Sequence, residues 1–409
     1  MLRFDMRHIL LTILMAVTTG ALLVACGADP TATPTPAPTP TPPPEATPTP
    51  MPVQVATATP TPSRPEWEIR WEETIAAAEE EGKVVVTSCG GEGRRRAMNE
   101  GWAEEFPNIT LEHQPFNSRD LWPLVVREAG FGQHNFDIRI GGADTTTFSA
   151  MHTNSTHAPL DFDEWFILPE VRDPDVWLGG IDGVWLDTTK QFAWPIVLTS
   201  SAGDSFWVNR NIIPESELSS VEQITDPKWK GQIISLSSEG GAAQNTMMMQ
   251  MLQYGEDWLN DLLANEPVVI RDHRQQIEFL LRGQYGIATT VDTNALRDFI
   301  AEGVDLSHIE SLSEEAPSLS NACESLQLHN NMPHPNAAKV YVNWLLTREH
   351  QQLWNEVVPT NSRRKDVECG RCNLTVTEED LTTFRLSQDE GLSEDRARFT
   401  ELVQGVLIQ

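Results

Sequence analysis

From Trp67 onward the chain keeps switching its hydrophobic period, and this alternation restricts the fold more than any other feature. Trp71, Ile75 and Ala78 fall on one face of an acidic stretch from Trp67 to Glu81, which reads as a helix stopped by Gly82. Lys83-Val84-Val85-Val86-Thr87 then reads as a buried strand, Arg94 to Phe106 as a helix ended by Pro107, and Ile109 to His113 as a second strand. Leu121 to Ala129 reads as helix, and Phe136 to Ile140 as a strand running into Gly141-Gly142. The pattern returns with strands at Gln232–Leu236, Val268–Arg271 and Tyr285–Thr290, each followed by a helical stretch. Such alternation predicts an α/β architecture, with mostly parallel sheets flanked by helices.

The amino end lies outside this pattern. Arg3, Arg7 and His8 precede an almost wholly apolar run from Ile9 to Val24, which ends at Leu23-Val24-Ala25-Cys26. The run is short for a membrane span, which needs about 20 apolar residues. It reads as an export signal over 1–26, with Cys26 placed for lipidation as in a bacterial lipobox. Residues 27–65 are a Thr/Pro-rich tract holding half of the chain's 28 prolines. A tract with so few large apolar groups cannot bury a core, and it favours extended polyproline II. At about 3.1 Å per residue it makes a stalk on the order of 100 Å long.

Asp and Glu outnumber Lys and Arg by 59 to 29, for a net charge of -30. A nucleic-acid partner selects the opposite balance, so none is expected. The ten histidines are scattered without a metal spacing, and neither metal nor cofactor is expected. After Cys26 four cysteines remain. Cys369-Gly-Arg-Cys372 can close a small disulfide loop or form half of a zinc site. Cys89 is either one half of a disulfide with Cys323 or a thiolate stabilised at a strand-to-helix turn.

Ligands of open α/β sheets gather at the carboxyl ends of strands, where helix amino termini offer unpaired N–H groups. Several Gly/Ser/Thr-rich loops occupy such places. The first contains Ser88, Cys89 and Gly90; the second Gly142, Ala143, Asp144 and Thr145; the third Ser237, Ser238 and Gly240. Ser200, Ser201, Thr290 and Asp292 are further candidates, with Asp292 equally placed to cap the next helix. Arg271 and Arg274 either bind an anion or are surface charges. Met247, Met248, Met249 and Met251 on one helix read as core rather than as copper ligands. Trp122, Trp165, Trp185 and Trp207 are placed to stack on a flat ligand or to pack.

Trp71 to Val86 (WEETIAAAEEEGKVVV), Asp226-Pro227-Lys228-Trp229-Lys230-Gly231, Arg271 to Ala288, His334 to Lys339 running into Trp344-Leu345-Leu346, and Pro359 to Val367 together resemble one family. They are similar, in order, to extracellular solute-binding proteins of ABC transporters (family 1, ferric-iron-transporter type). The resemblance implies a two-lobed type 2 periplasmic-binding fold with two hinge crossings and a ligand cleft. Lobe 1 would comprise 66–197 with 321–409, and lobe 2 residues 198–320. It also implies a monomer at the cell surface or in the periplasm, held to the membrane through Cys26. Such a protein delivers a small solute to a permease and its ATPase subunits. Ferric-binding members hold iron with paired tyrosines, whereas Tyr254, Tyr285 and Tyr341 are widely separated here. The favoured solute is an organic anion or phosphorylated compound, followed by a polyamine-like or other organic solute and then a ferric complex, with no enzyme activity. The alternatives are a surface ligand sensor and a thiol enzyme using Cys89.

Overall fold

The computed structural model describes residues 64–200, 205–312, 318–358, 360–368 and 375–408. The export signal with Cys26, nearly all of the stalk, and the pair Cys369 and Cys372 lie outside these described residues. In chain order the strands are β1 (Lys83–Ser88), β2 (Thr110–Pro115), β3 (Ile138–Gly141), β4 (His157–Ala158), β5 (Trp194–Pro195), β6 (Thr199–Ser200) and β7 (Trp207–Asn209). They continue with β8 (Ile233–Leu236), β9 (Val268–Ile270), β10 (Ile287–Thr289), β11 (Ile309–Ser311), β12 (Leu319–Ser320) and β13 (Ser325–His329).

The first sheet has the order β2-β1-β3-β13-β4, with β5 also on β13; the second has the order β9-β8-β10-β7-β11. The two share one plan. β1 is parallel to β2 and β3, while β13 is antiparallel to β3 and β4. β8 is likewise parallel to β9 and β10, while β7 is antiparallel to β10 and β11. The reversed strand of each sheet is the one formed just after the chain arrives from the other sheet. The crossings themselves meet in β6 and β12, which pair antiparallel with Leu319 opposite Ser200 and Ser320 opposite Thr199. Two lobes therefore share a two-stranded link.

Burial on both faces explains the apolar runs. Val84, Val86, Ile138, Ile140, Leu326 and Leu328 enter the first core, roofed by the aromatic cluster of Trp102, Tyr341 and Trp344. Asp137 joins the sheet to the later chain. Its buried carboxylate accepts bonds from Val85 N and from the backbone and ring nitrogens of His334. The second core holds Phe206, Val208, Ile233 and Ile287 against Met247, Met248, Met249 and Met251. The helix expected over Arg94–Phe106 is two pieces, Glu92–Asn99 and Trp102–Glu105. Gly101 breaks it at φ 91°, a left-handed conformation that glycine adopts without strain.

The carboxyl-terminal part does not stay with the first lobe, and the expectation that all of 321–409 belongs there is corrected. Residues 385–388 run beside β12: Leu319 N donates to Arg385 O, and Ser387 N donates to Leu319 O. Leu386 bridges Leu319 in parallel. The final helix, Ser393–Val403, then packs on the second lobe, because Leu392, Phe399, Val403 and Leu407 bury into its methionine-rich core. Bidentate bonds from Arg398 to Glu256 fix the outer face. The chain thus passes between the lobes a third time.

Candidate functional site

The parallel strands of each sheet end in the loops that the sequence singled out. On the first lobe, Cys89 after β1 is joined by a disulfide to Cys323, just before β13, with Cα atoms 6.2 Å apart. A Cβ on Gly142 would lie 3.7 Å from Cys323 Sγ, so the β3 loop lies against the disulfide. Beside it, Arg94 Nε donates to the buried Glu324, whose other oxygen accepts from Cys323 N. Burial disfavours a charge, yet the Glu324 carboxylate outweighs this and holds the Arg94 guanidinium above its ordinary range.

On the second lobe, β8 leads through Ser237 to Gly240 into the helix Gly241–Tyr254. That amino terminus has no side-chain cap and no acidic residue in its first turn. Gly241 has φ 67°, which suits glycine at this turn. The Ser237 and Ser238 hydroxyl oxygens are buried and have no hydrogen-bond partner among the described residues. Ser238 N donates to Leu407 O, so the carboxyl-terminal segment supports the loop from behind.

Charged side chains connect the lobes across these loops. Arg119, at the start of the helix Ser118–Ala129, lies 3.6 Å from Glu239, which also meets Arg271 at 3.2 Å. Asp292, after β10, acts electrostatically on Arg94 and approaches His273 at 3.5 Å. The segments after β1 and β2 therefore face the loops after β8 and β10.

Not every residue expected at this site presents a free group to it. Ser88 is fully buried; its hydroxyl lies 2.6 Å from His113 Nε2 and donates to Cys89 O. Asp144 caps the helix Thr145–Asn154, accepting from Thr147 N, and Ala143 turns into a small core with Phe148. Thr290 is buried at φ 57°, its hydroxyl donating to Thr289 O and accepting from Leu236 N across the sheet. Ser200 sits in β6 at the link, Gly90 and Thr145 are exposed, and Ser201 lies outside the described residues. Arg274 makes a surface pair with Glu302. Trp122, Trp165 and Trp185 are core, and Trp207 packs beside Ile234 and Ile277.

The sequence reading missed Arg94, Arg119, Glu324 and the carboxyl-terminal contribution. Arg139, buried beneath the β3 loop, was missed as well, though it left a local sign as a lone cation between Ile138 and Ile140 in an apolar strand. Among the described residues no three His, Cys, Asp or Glu side chains group as a metal site. Tyr341 is buried in the first core and donates to Met98 O, and burial pushes its phenol far above its ordinary range. Tyr254 packs on Trp258 and Tyr285 on Phe279. A cavity of about 310 Å³ lies elsewhere in the first lobe, between Leu198, Asn361 and Val376. Its Arg363 already donates to the carbonyls of Leu178, Gly180 and Pro195, so the cavity gains no spare donor from it.

No protein-family model and no curated protein matches the chain. Solved structures do match in fold. Iron-bound HitA from Pseudomonas aeruginosa superimposes with a TM-score of 0.58 at 13% identity, covering 78% of this chain and 99% of that one. FutA of Trichodesmium, in complex with iron and citrate, gives 0.58 at 13%, covering 79% and 99%. The spermidine/putrescine ABC transporter substrate-binding protein PotD from Streptococcus pneumoniae gives 0.56 at 13%, covering 78% and 97%. The fold is the type 2 periplasmic-binding fold, as the sequence resemblance implied.

Proposed function

We propose that this protein captures a small solute between its lobes and delivers it to the permease and ATPase of an ABC-type importer. One observation carries the reading. Two sheets that share one plan, apart from the extra strand β5, turn their strand-end loops toward each other across a link where β6 pairs with β12. A ligand touching both sets of loops stabilises the closed arrangement, and rotation about the link opens it. The structural neighbours include proteins described with iron, citrate and polyamines, so fold alone leaves the solute class to the chemistry of the loops. The uncapped helix at Gly241, the hydroxyls of Ser237 and Ser238, which have no partner among the described residues, and the neighbouring Arg271 favour an organic anion or a phosphorylated compound. Tyrosinate capture of iron has no support in the packing of Tyr254, Tyr285 and Tyr341. Cys89 is engaged with Cys323, which leaves no thiolate for nucleophilic chemistry. The lipid on Cys26 and the stalk then hold a monomeric head outside the cytoplasmic membrane.

The test is a melting-temperature screen against carboxylates, phosphates, sugars, polyamines and ferric salts, with X-ray scattering on each hit. A solute at 100 times its Kd adds about 2.7 kcal/mol to stability, and closure lowers the radius of gyration. A panel in which no compound produces both effects sinks the capture reading. For the anchor, Cys26→Ala should abolish incorporation of labelled fatty acid; a variant that still incorporates label removes that part.

A further inference from the structure

Two buried arginines, one in each lobe, are supplied with fewer partners than their chemistry demands. Arg139 on β3 is fully buried. Its side chain folds over Gly141, where an added Cβ would lie 2.4 Å from Arg139 Nε, so the guanidinium sits beneath the β3 loop. There its hydrogen bonds among the described residues are long, 3.4 Å to Phe116 O and 3.3 Å to Ser118 Oγ, its Cζ lies 5.9 Å from the centroid of the Trp122 ring, and its buried Nε has no partner among those residues. Ser118 opens the helix Ser118–Ala129, whose amino terminus carries no side-chain cap. Arg396 belongs to the final helix on the second lobe. It gives Nη2 to Ser387 O, while its buried Nε and Nη1 have no partner among the described residues.

These groups belong to one neighbourhood. Asp144, in the β3 loop, is the first carboxylate acting on each arginine. Asn321, just after β12, has both side-chain amide atoms buried and unpartnered among the described residues, and its backbone N donates to Gln388, next to Ser387. The position of a Cβ on Gly142 falls 3.8 Å from Ala322 O, which ties the β3 loop to the same place. Burial lowers both guanidinium pKa values, that of Arg139 to about 10, which leaves Arg139 a cation at neutral pH. Asp144, already occupied in capping, is thus the one carboxylate acting on Arg139, while Arg396 also feels Asp389 and Asp395 but gives neither of them a hydrogen bond from its Nε or Nη1 among the described residues. Arg363 shows the contrast: equally buried, it spends its donors on three backbone carbonyls. A buried donor without a partner costs stability, and an anion arriving there would recover that cost.

We propose that Arg139 and Arg396, with Asn321 beside them, receive an anionic group of the solute, a carboxylate or a phosphate. The carboxyl-terminal helix is then part of the binding site rather than a structural appendage. This rests on the capture reading and adds to it the residues that read the charge from opposite lobes.

The experiment measures melting temperature and affinity for inorganic phosphate, sulfate and citrate, at fixed ionic strength, on the full-length protein. The variants are Arg139→Met, Arg396→Met and, as an exposed control on the same segment, Arg385→Met. Wild type and Arg385→Met should be stabilised by at least one of these anions. Arg139→Met and Arg396→Met should bind it at least tenfold more weakly, while melting at or above the anion-free wild type, because each removes an undersatisfied buried charge. Hydrogen exchange on the wild type gives a readout free of variants: the anion should slow amides within Ser393–Val403 as well as those near Gly142. Both arginine variants responding like wild type, or protection of the cleft loops without the final helix, overturns this proposal and leaves the capture reading intact. A wild type that ignores all three anions overturns it too, and the wider solute panel then decides the capture reading separately.

Discussion

Removing the Cys89–Cys323 disulfide tests the architecture at its most connected point. The bond spans 234 positions and ties the loop after β1 to the segment between the link and β13. Opening it returns that loop's closure entropy to the unfolded chain. The entropy grows with the logarithm of loop length, and for a loop of this size it amounts to about 5 kcal/mol at 25 °C. That is comparable with the whole stability of an ordinary domain, about 5–15 kcal/mol. The assay is urea unfolding of wild type and of the double variant Cys89→Ser with Cys323→Ser, each with and without reductant. Oxidised wild type should be the more stable by several kcal/mol, and reductant should remove most of that difference. Any reductant effect left in the double variant reports Cys369 and Cys372 separately. A double variant within about 1 kcal/mol of oxidised wild type would refute the reasoning, as would alkylation of native Cys89 without reductant.

Other consequences are simpler. A Cβ at Gly183 would sit 1.8 Å from Gly179 O; Gly183→Ala should cost about 2 kcal/mol or more. Gly90, where an added Cβ meets nothing within 4 Å, should accept alanine within about 0.5 kcal/mol, and equal melting shifts at the two sites would contradict this. Asp137→Ala strips the acceptor from Val85 N and His334 and should cost about 3 kcal/mol by chemical unfolding; a loss below about 1 kcal/mol would show the site relaxing. Burial pushes both His157 and His350 down to about 4, so both stay neutral in the fold while the unfolded chain protonates near 6.5. Their contribution is fully present above pH 6.5 and is lost as pH falls toward 4, about 3 kcal/mol for each. His157→Gln should flatten the decline of the urea midpoint across that window, and an unchanged slope would argue against a buried neutral imidazole.

The lobes were legible because their strands are local signals. Val84 to Val86 and Ile233 to Ile234 read as buried strands on their own, and glycine marks the turns that follow. The candidate loops were legible for the same reason, being fixed by strand ends. The fate of individual side chains was not. Ser88 and Thr290 look like free hydroxyls in sequence, but His113 and Leu236 N, brought in by neighbouring strands, engage them. Arg119 and Glu239, or Arg94 and Glu324, meet only because the two sheets fold toward each other. The final helix misled most. Phe399 and Val403 announce an apolar face, but nothing local says which lobe it will cover, and the answer depends on residues 385–388 running alongside β12.

The third passage between the lobes bears on how closure would work under the proposed function. A swing from 1:99 open to 99:1 closed needs about 5.5 kcal/mol of differential binding. One direct bridge between the cleft loops, Arg119 to Glu239, is half-exposed on both sides, and such pairs contribute about 1 kcal/mol at most. The lobes therefore lack the means to hold themselves shut through that contact, and the solute must supply most of the difference. It can do so only through groups that remain undersatisfied until it arrives and that belong to opposite lobes. Arg139 on β3 and Arg396 on the final helix meet both conditions. The segment through Ser387 and Gln388, bonded to Leu319 and Asn321 beside the link, fixes where Arg396 enters the site. Weakening that segment without touching either arginine, as Gln388→Ala does, should therefore lower anion affinity while leaving the anion preference unchanged. A Gln388→Ala protein with wild-type affinity would separate the segment from closure and confine its role to packing.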